Sequence, residues 1–256
     1  MLAYVTFTGW DRHTDLDELG AFLEDCPQST VEIAVLFSTS RSQDDEDRYP
    51  NVDKAKAILK VAKAAGQRTA VHLCGRIARA FLGYSDAIVK VGPLIQLAER
   101  VQVNVPEDFW ASSPERYKPA HDLARLIGRS VIVQSRSIDG WPDVEHLGPG
   151  ASRMVPFLFD RSAGTGAAPP DWPFPRAHIL VGYAGGLGPD NVAGLCESIA
   201  GARIDGARWW LDMETGIRER FSIAKRRPDE PPLATYVSLA KCQRVMSAVG
   251  PWLEGR

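Results

Sequence analysis

The chain runs to 256 residues, 45% of them hydrophobic, with 22 glycines, which is long for one ordinary domain and suits a single α/β barrel over residues 1–256. A net charge of -2 and a pI of about 6.2 offer no broad electrostatic footprint for nucleic acid or an anionic membrane, so anion recognition must be local. The start, Met1-Leu2-Ala3-Tyr4, lacks a basic leader and no apolar run approaches a membrane span, so a cytoplasmic monomer or homodimer acting on a small molecule is expected.

Apolar runs of strand length alternate along the chain with helical segments. Leu2 to Thr8 is the first predicted strand, and Leu16, Leu19, Phe22 and Leu23 then form a helical stripe behind Thr14, the expected N-cap. Cys26, Cys74, Cys196 and Cys242 are far apart with no Cys-x-x-Cys pair, which argues against a zinc site or a disulfide scaffold. Val31 to Phe37 is the second strand, followed by a polar loop from Ser38 to Pro50 and a helix from Val52 to Ala65 that Gly66 ends. Arg68 to Cys74 is the third strand. The helical region after it, Arg76 to about Arg100, should break at Gly92-Pro93. Val101 to Val105 is the fourth strand, and a helix through Ala120, Leu123, Leu126 and Ile127 stops at Gly128. Val131 to Gln134 and Val155 to Phe159 are the fifth and sixth strands, separated by a Gly-, Pro- and Asp-rich excursion from Ser137 to Gly150. The seventh strand, His178 to Val181, and the eighth, Trp209 to Leu211, flank a helix from Asn191 to Ile199. A charged linker, Lys225 to Pro232, precedes a final helix from Leu233 to about Val249.

Eight strands, mostly followed by helices and with no long break in composition, predict a closed (β/α)8 TIM barrel. An open doubly wound sheet is the alternative, but such sheets usually place their glycine-rich turn after the first strand, and here no early turn of that kind dominates. In a barrel the strand C-termini build the active face, and the loops after strands seven and eight commonly hold phosphate. Two glycine turns fall there. Ile179 to Val192 runs a strand into Gly185-Gly186 and on to a helix start; the twin glycines let backbone N–H groups approach an anion, Pro189 suits a first helical turn, and the helix N-terminus adds partial positive charge. Met213-Glu214-Thr215-Gly216-Ile217 follows the eighth strand with another glycine and a hydroxyl, so both turns should face one anion.

These segments resemble a known family. Phe159-Asp160 followed by Gly164-Thr165-Gly166 and Asp171-Trp172, then Ala184-Gly185-Gly186-Leu187-Gly188-Pro189-Asp190-Asn191-Val192, then Asp212-Met213-Glu214-Thr215-Gly216, is similar to the pattern of the phosphoribosylanthranilate isomerases of tryptophan biosynthesis. Upstream, Arg48-Tyr49-Pro50 resembles that family's Arg-Tyr segment. The resemblance covers the C-terminal half specifically and the N-terminal half loosely. It implies a ribulose-phosphate-binding barrel that carries out an Amadori rearrangement, turning a phosphorylated aminoaldose into the aminoketose with no cofactor and no metal. By the same resemblance Asp160 is the general acid that protonates the furanose ring oxygen and Arg48 holds the substrate's aromatic carboxylate. Gly164, Gly166, Gly185, Gly186, Asp212, Thr215 and Gly216 are implied substrate contacts.

Phe157 and Phe159 are expected to line Asp160 and raise its pKa, while capping of its own loop is the other reading of that carboxylate. The family's base is a cysteine at the end of the first strand, where this chain has Thr8. A threonine hydroxyl is too weakly acidic to take that role unaided. Cys74 is the candidate substitute, because it ends the third strand beside Arg76, which would favour its thiolate, and His72 shares its face as a substrate contact. Packing roles for Cys74 and His72 are the alternative.

Gly182-x-x-Gly185-Gly186-x-Gly188 departs from the dinucleotide spacing and comes late in the fold. The acidic run Asp44-Asp45-Glu46-Asp47 lies on a polar loop, and the five histidines are scattered, so no metal-ligand spacing emerges. Arg41, Arg136 and Arg161 fall near strand ends, where a guanidinium fork can read a carboxylate. Two other functions fit the same residues: another isomerase or lyase acting on a phosphosugar, and a non-catalytic phospho-ligand-binding protein.

Overall fold

The computed structural model of the chain describes residues 1–39, 48–83, 87–105, 118–136, 154–162, 166–220 and 235–253. Eight parallel strands close on themselves in chain order: β1 (Leu2–Thr8), β2 (Val31–Ser38), β3 (Arg68–Cys74), β4 (Arg100–Asn104), β5 (Ser130–Ser135), β6 (Phe157–Asp160), β7 (Leu180–Ala184) and β8 (Arg208–Met213). The expected TIM barrel is the fold. Closure comes from β8 pairing back on β1, with Val5 opposite Leu211 and Thr6 opposite Asp212. Around the strands lie α1 (Leu16–Glu24), α2 (Val52–Ala64), α3 (Arg76–Leu82), α4 (Ala87–Ile95), α5 (Lys118–Ile127), α6 (Val192–Gly201) and α7 (Leu239–Val249). Among the described residues no helix is long and apolar enough to cross a membrane.

Side chains alternate between two faces along each strand, and the two faces here have different chemistry. One set, including Val5, Phe7, Ile33, Val35, Val71, Leu73, Val101, Val103, Val131 and Val133, joins the helices in the large apolar core. The other set points into the barrel. There the apolar members Tyr4, Ile132, Leu158, Ala184 and Trp210 form only a small cluster. The remaining inward positions include the buried polar residues Thr6, Thr8, Glu32, His72, Arg100, Gln102, Asp160 and Asp212.

At the barrel centre Glu32 and Arg100 form a buried, doubly bonded ion pair. Arg100 Nε donates to Glu32 Oε2 at 2.7 Å, its Nη2 bonds Oε1, and the Thr6 hydroxyl donates to Oε1 at 2.9 Å. The guanidinium lies 4.7 Å from the Tyr4 ring centroid and 4.6 Å from that of Trp210, so both charge and rings are used. Burial alone would raise the Glu32 carboxyl, but Arg100, Arg68 and the Thr6 hydroxyl outweigh it and hold the group below its ordinary value. Gly182 on β7 makes room for this arrangement, since a Cβ there would sit 2.3 Å from the Trp210 ring and 2.6 Å from Leu158.

Several elements differ in detail from the sequence reading. Asp15, not Thr14, caps α1, accepting from the N–H groups of Asp17 and Glu18; the Thr14 hydroxyl accepts from Asp11 N–H instead. Pro93 does not break the helical region but sits inside α4, and α3 ends at Gly83. Leu126 is exposed, so the buried face of α5 is Ala120, Leu123 and Ala124. The seventh strand lies later than expected, ending at Ala184 rather than Val181. Residues Thr235–Val237 are a short strand (β10) rather than helix, paired antiparallel with Arg218–Arg220 (β9), and Ser238 then caps α7. Arg218 on β9 binds the carbonyl of Gly9 and, at 2.8 Å, the Asp11 carboxylate, tying the exit of β8 to the exit of β1. The excursion at 137–150 and the linker at 225–232 fall outside the described residues.

Glu32→Ala leaves the Arg100 charge buried without its partner. It should lower unfolding stability by about 3–5 kcal/mol in a urea titration, more than a typical surface change.

Candidate active site

A cavity of about 540 Å³ opens at the C-terminal ends of the strands. Its wall contains Thr8 of β1, Arg48 of the loop after β2, His72 and Cys74 of β3, Asp160 of β6, Gly166 of the loop after β6, Gly185 and Gly186 after β7, and Asp212, Thr215 and Gly216 of β8 and its loop. Arg136 also lines it, whereas Arg161 is exposed and forms no part of the wall. Gly164, Arg41 and the acidic run at 44–47 lie outside the described residues. Among the described residues no cluster of His, Cys, Asp and Glu is arranged to hold a metal.

The glycine turns are shaped by contact between backbones. Gly185 and Gly186 take φ of 107° and 63°, the left-handed side that favours glycine. A Cβ on Gly186 would lie 2.3 Å from Ala168 N, and one on Gly216 would lie 2.0 Å from Leu187 O. The loops after β6, β7 and β8 are therefore pressed together at the rim, and Gly216 is needed for this packing. Among the described residues, the N–H groups of Gly186 and Leu187 donate to nothing. Asn191 does not cap α6; its side chain accepts from Gly188 N–H at 2.9 Å and donates to Gly186 O at 2.8 Å, clamping the turn. Pro189 accordingly sits in this turn, three residues ahead of α6, rather than in a first helical turn.

Asp160 faces the cavity and also caps its own loop. Oδ1 accepts from Ser162 N at 2.9 Å and Ser162 Oγ at 2.6 Å, and Oδ2 accepts from Gln134 Nε2 at 2.6 Å. Phe157 and Phe159 have the opposite parity and join the helix-facing core, so they do not line this carboxylate. Trp172 of the Asp-Trp segment packs edge-on between Phe159 and Tyr183, each at 6.0 Å, and acts as an outer brace.

Asp212 is the most perturbed acid in the cavity wall. The Thr8 hydroxyl donates to its Oδ1 at 2.6 Å. Burial, reinforced by the carboxylates of Glu32 and Glu214, pushes its pKa up to about 7, against the opposing effects of the Thr8 bond and Arg100. His72 is only 2% exposed, and burial, against the opposing effect of Glu32 and with Arg100 adding a smaller push, drives its pKa down to about 3, so the imidazole is neutral; its Nε2 has no hydrogen-bond partner. Burial likewise pushes the Cys74 thiol up, and Asn104 Nδ2 donates to its Sγ at 3.5 Å. Arg76 is exposed and is not among the charges acting on that thiol, which removes the expected source of a thiolate. Arg48 is bound to Glu214 at 2.8 Å, so an incoming carboxylate would share or displace that partner.

Sequence reasoning passed over Gln102, Asn104, Gln134, Ser162 and Glu214, all in the wall. The polar residues at 100, 102 and 104 alternate with Val101 and Val103, a period-two signal that was available in the sequence.

No protein-family model matches the chain, and no curated protein matches it. Solved structures do. Phospho-2-dehydro-3-deoxyheptonate aldolase (DAHP synthase) of Thermotoga maritima aligns with a TM-score of 0.54 at 8% identity, over 98% of this chain and 68% of its own. A truncated 3-deoxy-D-arabino-heptulosonate 7-phosphate synthase from Thermotoga maritima gives 0.50 at 7% identity, over 98% and 86%. Thiamine phosphate pyrophosphorylase of Pyrococcus furiosus gives 0.47 at 10% identity, over 96% of each chain. At such identities the likeness is one of barrel fold.

A carboxyl whose pKa is raised on folding contributes most stability below its unfolded value, near 4, and loses it as pH rises through the folded value near 7. Wild type should therefore lose about 4 kcal/mol across this window that Asp212→Asn does not lose. Denaturant titrations of both proteins at pH 4.5 and 8 check this, with the variant gaining relative to wild type as pH rises.

Proposed function

We propose that the chain is a cofactor-free isomerase of a phosphorylated aminosugar, of the phosphoribosylanthranilate isomerase type. The observation that carries this reading is convergence: the unpaired amides of Gly186 and Leu187, the carboxylate of Asp160 and the guanidinium of Arg48 belong to one strand-end cavity. The amides and the adjacent start of α6 suit a phosphate dianion, which needs donors and positive potential without a mobile cation. Asp160 and Asp212 lie on strands separated only by β7, their inward positions about 10 Å apart at two ladder spacings, with the cavity between them.

In the reaction, Asp160 hands a proton to the furanose ring oxygen as the C1′–O bond breaks, and the nitrogen lone pair forms the iminium. Loss of the C2′ proton then gives the enaminol, which tautomerises to the aminoketose, so no proton is gained or lost overall. Gln134 and Ser162 hold Asp160 in place for its part. Arg48 would take the substrate's aromatic carboxylate, exchanging Glu214 for it. A cavity of this volume accommodates a substrate of two rings and a phosphate.

The well-expressed chain should restore growth without tryptophan to a bacterial strain lacking this isomerase, and Asp160→Asn should fail to. Purified Asp160→Asn should lose about 10²–10⁴-fold in kcat with substrate binding retained. Absence of rescue together with thermal stabilisation by phosphorylated aminosugars would favour the binding-protein alternative instead.

A further inference from the structure

Isomerisation beside an iminium needs a group that removes a proton from carbon, and the Thr8 hydroxyl cannot supply an alkoxide near neutral pH. Among the described residues three carboxyl groups line the cavity: Asp160, Asp212 and Glu214. Asp160 has both oxygens engaged by Gln134 and Ser162, and Glu214 is bound to Arg48. Asp212 differs from both. Its Oδ1 is held by Thr8 at 2.6 Å, while its Oδ2 accepts from no described group and is not sealed in the interior, so it opens on the cavity.

We propose that Asp212 is the catalytic base of this site and that Thr8 is its positioning residue, fixing one carboxylate oxygen so that the other is presented to the carbon-bound proton. The assignment rests on the isomerase reading. The Asp212 carboxylate takes the C2′ proton, the C2′–H electron pair becomes the C1′=C2′ bond, and the iminium π pair returns to nitrogen. The proton now on Asp212 is delivered to C1′ as the enol collapses to the ketone, and the proton released from the C2′ hydroxyl restores the Asp160 acid. Atoms and charge balance without an oxidant, a reductant or a metal.

The surroundings suit that role. Asp212 is faced by Thr8 of β1, Glu32 of β2, Arg100 of β4 and Glu214 of its own loop, while neutral His72 of β3, Asp160 of β6 and Arg48 line the same cavity. Burial and the two neighbouring carboxylates bring the acid to about 7, where a base is ionised for much of the time and still strong enough to accept a proton. Cys74, the other candidate, has its thiol pushed up by burial. The carbon acids this pair would act on are those made acidic by an adjacent iminium or carbonyl.

The test uses the full chain with phosphoribosylanthranilate carrying deuterium at C2′. Wild-type kcat/KM should rise with pH through an inflexion near 7 and show a primary isotope effect. Asp212→Asn should lose at least 100-fold in kcat with KM changed less than threefold. Thr8→Val should move the inflexion upward, since it removes a bond that favours the ionised form, and Thr8→Ser should restore it. Asp212→Asn within threefold of wild type, or an unmoved inflexion in Thr8→Val, overturns the assignment. If wild type does not turn the compound over at all, the isomerase reading fails separately. Carbon-13 titration of the aspartate carboxyls then decides the base: an Asp212 inflexion near 7 that Thr8→Val raises supports it, and one below 5 overturns it.

Discussion

The barrel is organised around an ion pair that an apolar interior would not contain. Glu32 and Arg100 meet at its centre, with both oxygens of the carboxylate bonded and the guanidinium flanked by Tyr4 and Trp210. Removing two charges from water costs several kcal/mol each, and their attraction roughly restores what desolvation takes away. Such a pair therefore adds little net stability while its loss is severe. What it adds is a fixed field. Burial is the main cause of the raised pKa of Asp212 and the lowered one of His72, and the pair modulates both, Glu32 raising each and Arg100 lowering it.

The rim is built differently, from backbone against backbone. Gly216 meets Leu187, and Gly186 meets Ala168, at distances where a single methyl group would collide with main chain rather than with a side chain able to turn aside. Three consecutive loops share this constraint, and Asn191 adds its own two bonds across the turn. The result is a rigid edge whose unpaired amides belong to the scaffold rather than to a mobile loop. Preorganised donors of this kind need no rearrangement when an anion arrives.

Much of this was legible because barrel strands impose a period of two. Leu2 to Thr8 and Arg68 to Cys74 were read with the bounds the structure has, since each is an unbroken run between clear turn signals. The seventh strand continues past Val181 to Ala184, and the missing side chain of Gly182 within it is the space occupied by Trp210. Pro93 looked like a break because its lost hydrogen bond is a local cost, yet Val91, Leu94 and Ile95 bury enough apolar surface to hold α4 through it. At the site, motif residues on β6, β7 and β8 converge on one cavity, but the partners of each carboxylate were not visible. Gln134 reaches Asp160 from the adjacent strand, and Thr8 reaches Asp212 across the closure of the barrel, a separation of 204 residues. Pairings that exist only because the sheet closes leave no trace in local spacing.

Thr8 and Asp212 are joined where the barrel closes. The Thr8 hydroxyl is too weakly acidic to form an alkoxide near neutral pH, and it donates to Asp212. A donor that locks one oxygen of a buried acid lowers its pKa, yet burial beside Glu32 and Glu214 still leaves Asp212 near 7. A purely structural carboxyl in this place would be better replaced by an amide, which would keep an acceptor for Thr8 and avoid the charge. An acid whose ionisation destabilises the fold has the perturbed titration that proton-transfer groups share, and the Thr8 bond makes it and its donor one unit.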